Sequence, residues 1–413
     1  MAKVFPFQPY RYASKAGDPQ NLVTQPYDKI SPEMQRRYES LSPHNLVRVI
    51  LGERFADDNE FNNVYTRAAQ YFNDWIREGV LAQDAEPGFF AYFQEFTMPD
   101  TGERLVRKAF IGLGAVEDYS SKVVHRHEQT LSGPKKDRME VLKNTGAHFG
   151  QIFMLYPDRA GEVDKILDET AAAKPDVEVT DEYGAVHRVW KITSQGRIAR
   201  IQELMADKKL LIADGHHRYE TALAFRQQNP GNPAAEKVMM TFVNMYSTGL
   251  RILGTHRVIR GLEQFHPEAL LDKARQAFTV RELSSADELK QAWSDPHAGR
   301  IQIGVAVAPS PRFFLFETDR GKRLDVNVLH EDVLRDILGI TEEAVREEKF
   351  LKYVRGVDAA IEYVRKGDAQ LAFLLEPPSV DQVGEISFGG GVMPQKSTDF
   401  YPKLLTGLTI YKL

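Results

Sequence analysis

The sequence contains no cysteine in its 413 residues. Disulfide bonds, thiolate metal sites, nucleophilic thiols and iron–sulfur clusters are therefore excluded from its chemistry. Long apolar runs are also missing. The N-terminal stretch MAKVFPFQPY lacks the apolar core of a signal peptide, and the run IQIGVAVA at 301–308 is too short to span a bilayer. We expect a cytoplasmic protein without a membrane partner.

A basic excess is absent as well. The chain has 53 Lys and Arg residues against 58 Asp and Glu residues, a formal net charge of −5. Proteins that coat nucleic acid usually carry a basic excess, because their cations replace the counterions of the phosphates. A nucleic-acid partner is therefore not expected, although the composition does not exclude local basic patches. The composition says nothing about the oligomeric state.

The chain is long enough for two or three domains, and 42% of its residues are hydrophobic. Before residue 260 the pattern predicts a helix opened by Ser31, a hairpin over 88–116 and a strand–turn–helix from Lys209. Beyond it, helices and strands alternate. We expect an α+β protein with a catalytic region at 1–260 and a C-terminal α/β domain at 261–413, whose last segment returns to the site.

The first motif is the segment LLIADGHHRYETALAF at 210–225, where an apolar strand, a turn and a helix follow one another. The start of a helix presents unpaired amides and the positive end of its dipole, which bind anions. Cations in that first turn are unfavourable unless an anion binds there. His216, His217 and Arg218 therefore favour a phosphate or carboxylate site.

Two residues of the turn fit the same interpretation. Gly215 lets the backbone approach a ligand, and Asp214 could cap the helix or bind Mg²⁺ that accompanies phosphates. The two histidines could move protons as well as donate hydrogen bonds. The ordinary alternative is that Asp214 only caps the helix while the histidines pack or face water.

The second motif lies at 121–138, where five Lys and Arg residues stand against two acids. We expect a loop that folds over the substrate, with Glu128 as a general base. The other candidate residues of this loop are His125, His127, Lys135, Lys136 and Arg138. A zinc pair of His125 and His127 is less favoured because the HExxH pattern is missing. A solvated loop is the open alternative.

The third motif, GGGVMPQKSTDFYPKL, lies near the C-terminus. Its spacing does not match the P-loop pattern, which excludes that interpretation. Lys396, Ser397 and Thr398 could still donate to an anion, or the segment could be a simple turn. His256 and Arg257, on a predicted strand that follows the first motif, could join the same site.

Four segments in order resemble the DUF1015 family: QPYDKIS, HEQT with a nearby KxDR, IADGHHRYETA and MPxKSTxFYPKL. Gln25 and Gln395 depart from the pattern, in which proline is expected. The resemblance implies a ParB/sulfiredoxin-like nucleotide-binding core with an N-terminal extension and an inserted loop. It also implies that residues 214–218 hold the phosphates of a nucleotide.

Three activities compete within that superfamily. Sulfiredoxins need a reactive cysteine, which is absent, and ParB proteins need a DNA-reading helix-turn-helix, which the sequence does not indicate. Free serine kinases carry the same DGHHR motif, with a catalytic acid N-terminal to it, as Asp28 and Glu128 are here.

We therefore expect a kinase-like enzyme that uses ATP or ADP with Mg²⁺ to phosphorylate a hydroxyl-bearing small molecule such as free serine. Glu128 or Asp28 would act as the base, His217 would assist catalysis, and Asp214 would orient the metal. A phosphatase or nucleotide hydrolase, and a nucleotide-binding switch without turnover, are the alternatives.

Overall fold

The computed structural model describes residues 1–128, 132–294, 299–309, 311–319, 321, 323–394 and 396–413. Gln129 and Thr130 of the predicted loop and Gln395 of the third motif lie outside this range. The chain forms two compact units, Met1–Leu250 with Pro402–Leu413, and Arg251–Tyr401. The functional division at residue 260 stays a prediction.

The first unit is built from strands and helices in irregular alternation. Its strands are β1 (Val4–Phe5), β2 (Tyr10–Tyr12), β3 (Leu81–Gln83), β4 (Phe89–Thr97), β5 (Arg104–Ala115), β6 (Val124–His125), β7 (Ala147–His148), β8 (Ile152–Tyr156), β9 (Val177–Thr180), β10 (Val186–Ile192), β11 (Leu210–Asp214) and β12 (Lys237–Asn244). Its α-helices are α1 (Pro32–Leu41), α2 (Val47–Ile50), α3 (Val64–Arg77), α4 (Ser132–Thr145), α5 (Glu162–Ala171), α6 (Gln195–Met205) and α7 (His216–Gln228). The C-terminal strand Tyr411–Lys412 pairs with β7.

One large mixed sheet organises this unit, in the order β6-β11-β8-β12-β5-β4-β10-β9, with β1 beside β5. The predicted hairpin β4–β5 is confirmed and is antiparallel. β11 runs parallel to β6 and antiparallel to β8. α5, α6 and α7 bury their apolar residues against the strands in one core. The pairing of β6 with β11 brings the second motif beside the first.

The junction between β11 and α7 confirms the predicted strand–turn–helix. Residues 210–213 are buried, and the strand pairs with a neighbour on each side. The pairing register with β8 shifts between Ile212 and Asp214. Such irregularities re-aim a side chain. Gly215 then adopts φ +93°, a conformation that suits glycine, and α7 begins at His216.

The second unit contains an antiparallel sheet in the order β15-β17-β16-β19-β14-β18. Its strands are β13 (Arg251–Leu253), β14 (Thr255–Ile259), β15 (Thr279–Leu283), β16 (Arg300–Val307), β17 (Arg312–Asp319), β18 (Leu351–Arg355), β19 (Leu371–Leu375) and β20 (Asp399–Tyr401). Its helices are α8 (Pro267–Ala277), α9 (Ala286–Ser294), α10 (Asp325–Val328), α11 (Glu342–Arg346), α12 (Val357–Arg365) and α13 (Val380–Phe388), with a π-helix at Leu329–Ile337.

The predicted α/β class of the C-terminal region is therefore wrong. The expected helices and strands are present, but antiparallel pairing makes the unit α+β, because an α/β sheet is mostly parallel. Across the described residues of both units, no helix is long and apolar enough to cross a membrane.

Candidate functional site

Asp214 is the centre of a charged cluster at the end of β11. Its Oδ2 accepts a hydrogen bond from Arg218 Nη2 at 2.8 Å, and its Oδ1 lies 3.3 Å from Lys403 Nζ. Burial raises the pKa of Asp214, but the charges of Lys403, Arg218 and Lys29 outweigh it and hold the pKa well below its ordinary value. Asp214 is therefore an anion surrounded by cations.

Arg218 is held in place by the backbone around it. Its Nη1 donates a hydrogen bond to the carbonyl oxygen of Gln151. A Cβ on Gly215 would lie 3.1 Å from the Arg218 guanidinium carbon, and one on Gly150 would lie 3.2 Å from Nη1. Both glycines thus leave room for the guanidinium group, which explains why the DG turn precedes this arginine.

Arg218 lines an open cleft within the first unit. The polar lining residues include Tyr27, Arg138, Arg218, Thr221 and Thr406, and the apolar ones include Ile50, Val141, Leu142 and Phe149. The guanidinium group of Arg138 lies over the ring of Tyr27, 4.0 Å from its centroid. The cleft therefore combines two guanidinium groups with an apolar wall. It suits a ligand with both anionic groups and a flat apolar part.

His216 faces away from this cleft. Residues two apart on a helix are separated by about 200° around its axis, so His216 and Arg218 lie on opposite sides of α7. The His216 side chain is 8% exposed, and its ring meets that of His127 edge to face at 4.7 Å. The first motif thus splits between two sides of one helix start, and the phosphate role of His216 stays a prediction.

His127 and Glu128 form a pair beside His216. His127 Nδ1 lies 2.6 Å from the carbonyl oxygen of Ile212, and its Nε2 lies 3.6 Å from Glu128 Oε1. The Glu128 side chain is 18% exposed, whereas that of His127 is buried. The structure thus brings Glu128, the predicted base, to the start of α7, although its catalytic role stays a prediction.

We expect the imidazole of His216 to stay neutral down to about pH 4. Burial, followed by the nearby His127, lowers its pKa to about 3. Because the folded pKa lies below the unfolded value of about 6.5, protonation favours unfolding, and this histidine's contribution to stability falls as the pH drops through that value. A ¹⁵N NMR titration of the histidine-labelled protein measures the pKa of His216. Protonation near pH 6.5 would contradict the burial of this side chain.

The remaining predicted residues of the first unit occupy several positions. Asp28 is exposed in the 3₁₀ helix Tyr27–Lys29, and His217 is partly exposed in the first turn of α7. The loop predicted over 121–138 is helical from Ser132 onward, so Lys135 lies on α4, where it forms an ion pair with Glu220 of α7. His125 Nε2 lies 3.0 Å from the carbonyl oxygen of Lys122, within the loop itself.

Five predicted residues belong to the second unit: His256, Arg257, Lys396, Ser397 and Thr398. His256 is buried, its Nδ1 accepts a hydrogen bond from Leu375 N at 3.2 Å, and burial lowers its pKa to about 4. Arg257 Nη2 donates to the carbonyl oxygen of Lys396 at 3.3 Å. The membership of these residues in a phosphate site stays a prediction.

Sequence reasoning missed Lys403 and Arg107. Lys403 lies in the YPKL end of the third motif, which offered a signal that was not used. Arg107 is fully buried on β5, donates to Gln94 Oε1 at 3.0 Å and to the carbonyl oxygen of Pro402 at 2.5 Å, and burial lowers its pKa to about 9. Arg107 thus holds the chain next to Lys403, and its position in the sequence gave no sign of this.

A metal role for Asp214 depends on the ligand. Within the described ranges, no three or more His, Asp or Glu side chains are grouped so that they could hold a metal ion. Mg²⁺ is often bound by one or two carboxylates together with substrate phosphates. Asp214 fits only that kind of site, and its role as a metal ligand stays a prediction.

The model of the family described as "Protein of unknown function (DUF1015)" matches residues 4–355. No curated protein matches the chain. A conserved hypothetical protein from Pyrococcus furiosus is 14% identical, with a TM-score of 0.36 over 67% of this chain and 87% of that one. A free serine kinase in complex with AMP is 15% identical, with a TM-score of 0.37 over 69% and 89%. SbnI from Staphylococcus aureus is 12% identical, with a TM-score of 0.36 over 72% and 87%.

Proposed function

This chain belongs to the DUF1015 family of proteins of unknown function, and we propose that it is a small-molecule phosphotransferase that binds ATP or ADP in the cleft beside Arg218. The acceptor is a hydroxyl-bearing metabolite such as free serine, and Mg²⁺ accompanies the phosphates. In this proposal β11 and α7 form the centre of a ParB/sulfiredoxin-like nucleotide-binding core.

The composition of the cleft carries this proposal. Arg138 and Arg218 line it together with an apolar wall that includes Val141 and Phe149. Guanidinium groups bind phosphate oxygens in a bidentate manner, and apolar walls accept flat bases. Since a nucleotide combines both parts, it matches the two chemistries of the cleft.

The charges at the start of α7 support the same ligand. Arg218 and Lys403 both interact with Asp214, and Lys29 adds a further positive charge nearby. A cluster of three cations around one carboxylate keeps a positive excess at the point where a helix start attracts anions. The terminal phosphates of the nucleotide would approach this point.

Glu128 supplies the chemistry in this proposal. It lies beside His127 and His216 at the start of the same helix. Phosphoryl transfer requires mainly that the groups are positioned and that the phosphate charge is neutralised. Glu128 removes the proton of the acceptor hydroxyl, whose oxygen attacks the terminal phosphorus while the leaving nucleotide keeps the electrons of the broken bond.

The proposed function is tested by incubating the purified protein with Mg²⁺, a pool of amino acids and either ATP or ADP labelled in its terminal phosphate. Label in an amino acid supports the phosphotransferase. Label in free phosphate alone supports a phosphatase or nucleotide hydrolase. Nucleotide binding without turnover supports a nucleotide-binding switch.

Replacing Arg218 by Ala is expected to weaken nucleotide binding by more than about 1.5 kcal/mol, the ordinary value of a hydrogen bond to a charged group. The reason is the loss of the guanidinium group that lines the cleft. Isothermal titration calorimetry measures the effect. Arg200→Ala is the matched control, because Arg200 lies on α6 and pairs only on the surface with Glu203. Equal affinity in both variants would remove the cleft from the proposal.

A further inference from the structure

The environment of His127 determines which of its nitrogens carries a proton. Nδ1 lies 2.6 Å from the carbonyl oxygen of Ile212, on the strand that leads to Asp214. A backbone carbonyl can only accept a hydrogen bond, so Nδ1 must be the donor. In the neutral imidazole, Nε2 is then without a proton.

The unprotonated Nε2 lies next to a carboxyl group. It is 3.6 Å from Glu128 Oε1, and the His127 side chain is 1% exposed. An unprotonated imidazole nitrogen can accept a proton from a protonated carboxyl group, and catalytic contacts of this kind are often long before the substrate binds. His127 Nε2 is therefore placed to accept a proton from Glu128.

Other titratable and charged groups lie near this pair. The charges that act on the neighbouring His216 are those of His127, Glu128, Asp214 and His217. Burial lowers the pKa of His216 to about 3, so its imidazole does not compete for a proton near neutral pH. In the loop that carries His127, Arg126 Nη1 lies 3.9 Å from Glu220 Oε1 of α7.

From this arrangement, and building on the proposed phosphotransferase, we propose that His127 is a positioning residue that receives the proton Glu128 removes from the acceptor hydroxyl. The O–H bond of the acceptor breaks, and its proton moves to Glu128. The oxygen–phosphorus bond to the acceptor forms as that to the leaving nucleotide breaks. The proton then passes to His127 Nε2, which gives an imidazolium and restores the Glu128 carboxylate.

Replacing His127 by Asn tests this role. The Asn amide can donate to the Ile212 carbonyl oxygen but cannot take up a proton. We expect nucleotide affinity to be unchanged and kcat to fall by about tenfold or more, a part of what a general base contributes. The acidic limb of the kcat–pH profile should move to lower pH, because Glu128 then titrates without its partner. An unchanged profile would overturn the inference.

His44→Asn is the matched control. His44 is a half-buried imidazole of the same unit that packs edge to face against Trp75, away from α7. The kcat and the pH profile of the His44→Asn variant should equal those of the unmodified protein. A shift of the profile in this variant as well would show that any lost imidazole has the effect, and would overturn the inference.

A second measurement does not depend on turnover or on the folding of a variant. In the ¹⁵N-histidine-labelled protein, the substitution Glu128→Gln should change the NMR signals of one imidazole, which identifies it as that of His127. At alkaline pH this imidazole should be protonated at Nδ1 and unprotonated at Nε2. Protonation at Nε2 instead would reject the inference about His127 alone. The absence of phosphoryl transfer in the unmodified protein would reject the proposed function, whatever the tautomer.

Discussion

Replacing Glu128 by Gln is expected to lower kcat by about 10²- to 10⁴-fold, the contribution of a general base. Gln keeps the shape of the side chain but cannot accept a proton. Neither Glu128 nor His127 lines the cleft that contains the two arginines, so nucleotide affinity should be preserved. Steady-state kinetics with calorimetry of the same variant measures both quantities.

Two further variants define what this result means. Glu203→Gln removes an exposed carboxylate on α6 and should leave kcat unchanged. Asp28→Asn tests the second candidate base, which is exposed in the 3₁₀ helix near the cleft. Full activity of the Glu128 variant, together with an inactive Asp28 variant, would transfer the role of base to Asp28.

Replacing Asp214 by Asn is expected to lower the free energy of unfolding by about 3 kcal/mol, the lower end of the cost of breaking a buried ion pair. The variant leaves the cations of Lys403 and Arg218 without their shared carboxylate, and both side chains are largely buried. Urea unfolding measures the change. Glu162→Gln, which removes an exposed partner of Lys165, should change the stability by less than about 0.5 kcal/mol.

The pH dependence of the Asp214 variant gives a second readout. Because the folded pKa of Asp214 lies below its unfolded value, its carboxylate stabilises the protein above that value, and this contribution is lost as the pH falls. The difference between the two proteins should therefore be full above about pH 5 and shrink as the pH falls below about 4. Inorganic phosphate should restore more stability to the variant, since Lys403 and Arg218 have lost their shared carboxylate. A constant difference across this range would contradict the ion pair.

Local patterns predicted the elements around the site well. The apolar run from Lys209, the Asp-Gly turn and the helix from His216 are all present, and the turn PDTGE at 99–103 joins the strands of the hairpin β4–β5. The helix predicted at Ser31 is α1, and the Ser31 side chain accepts a hydrogen bond from Met34 N at its start. Each of these signals is local, since a turn residue or a periodic apolar face needs no distant partner.

The prediction of the site did not take the geometry of a helix into account. His216 and Arg218 are only two positions apart in the motif but lie on opposite sides of α7, which the helical period alone could have indicated. The direction of strand pairing in the second unit has no such local signal, because alternating helices and strands are compatible with either direction. The contact of Lys403 with Asp214 joins residues 189 positions apart in the sequence. The local sequence around Arg107 gave no sign that this arginine would hold the chain next to Lys403.

The order in which the ion pair at Asp214 can form follows from the position of Lys403. The first unit is interrupted in sequence by residues 251–401, and Lys403 belongs to its second piece. During translation, β11 and α7 emerge long before this lysine does. The nascent chain therefore carries Asp214 and Arg218 with one cation missing until Lys403 has left the ribosome, and ligand binding at the cleft is expected only after that point.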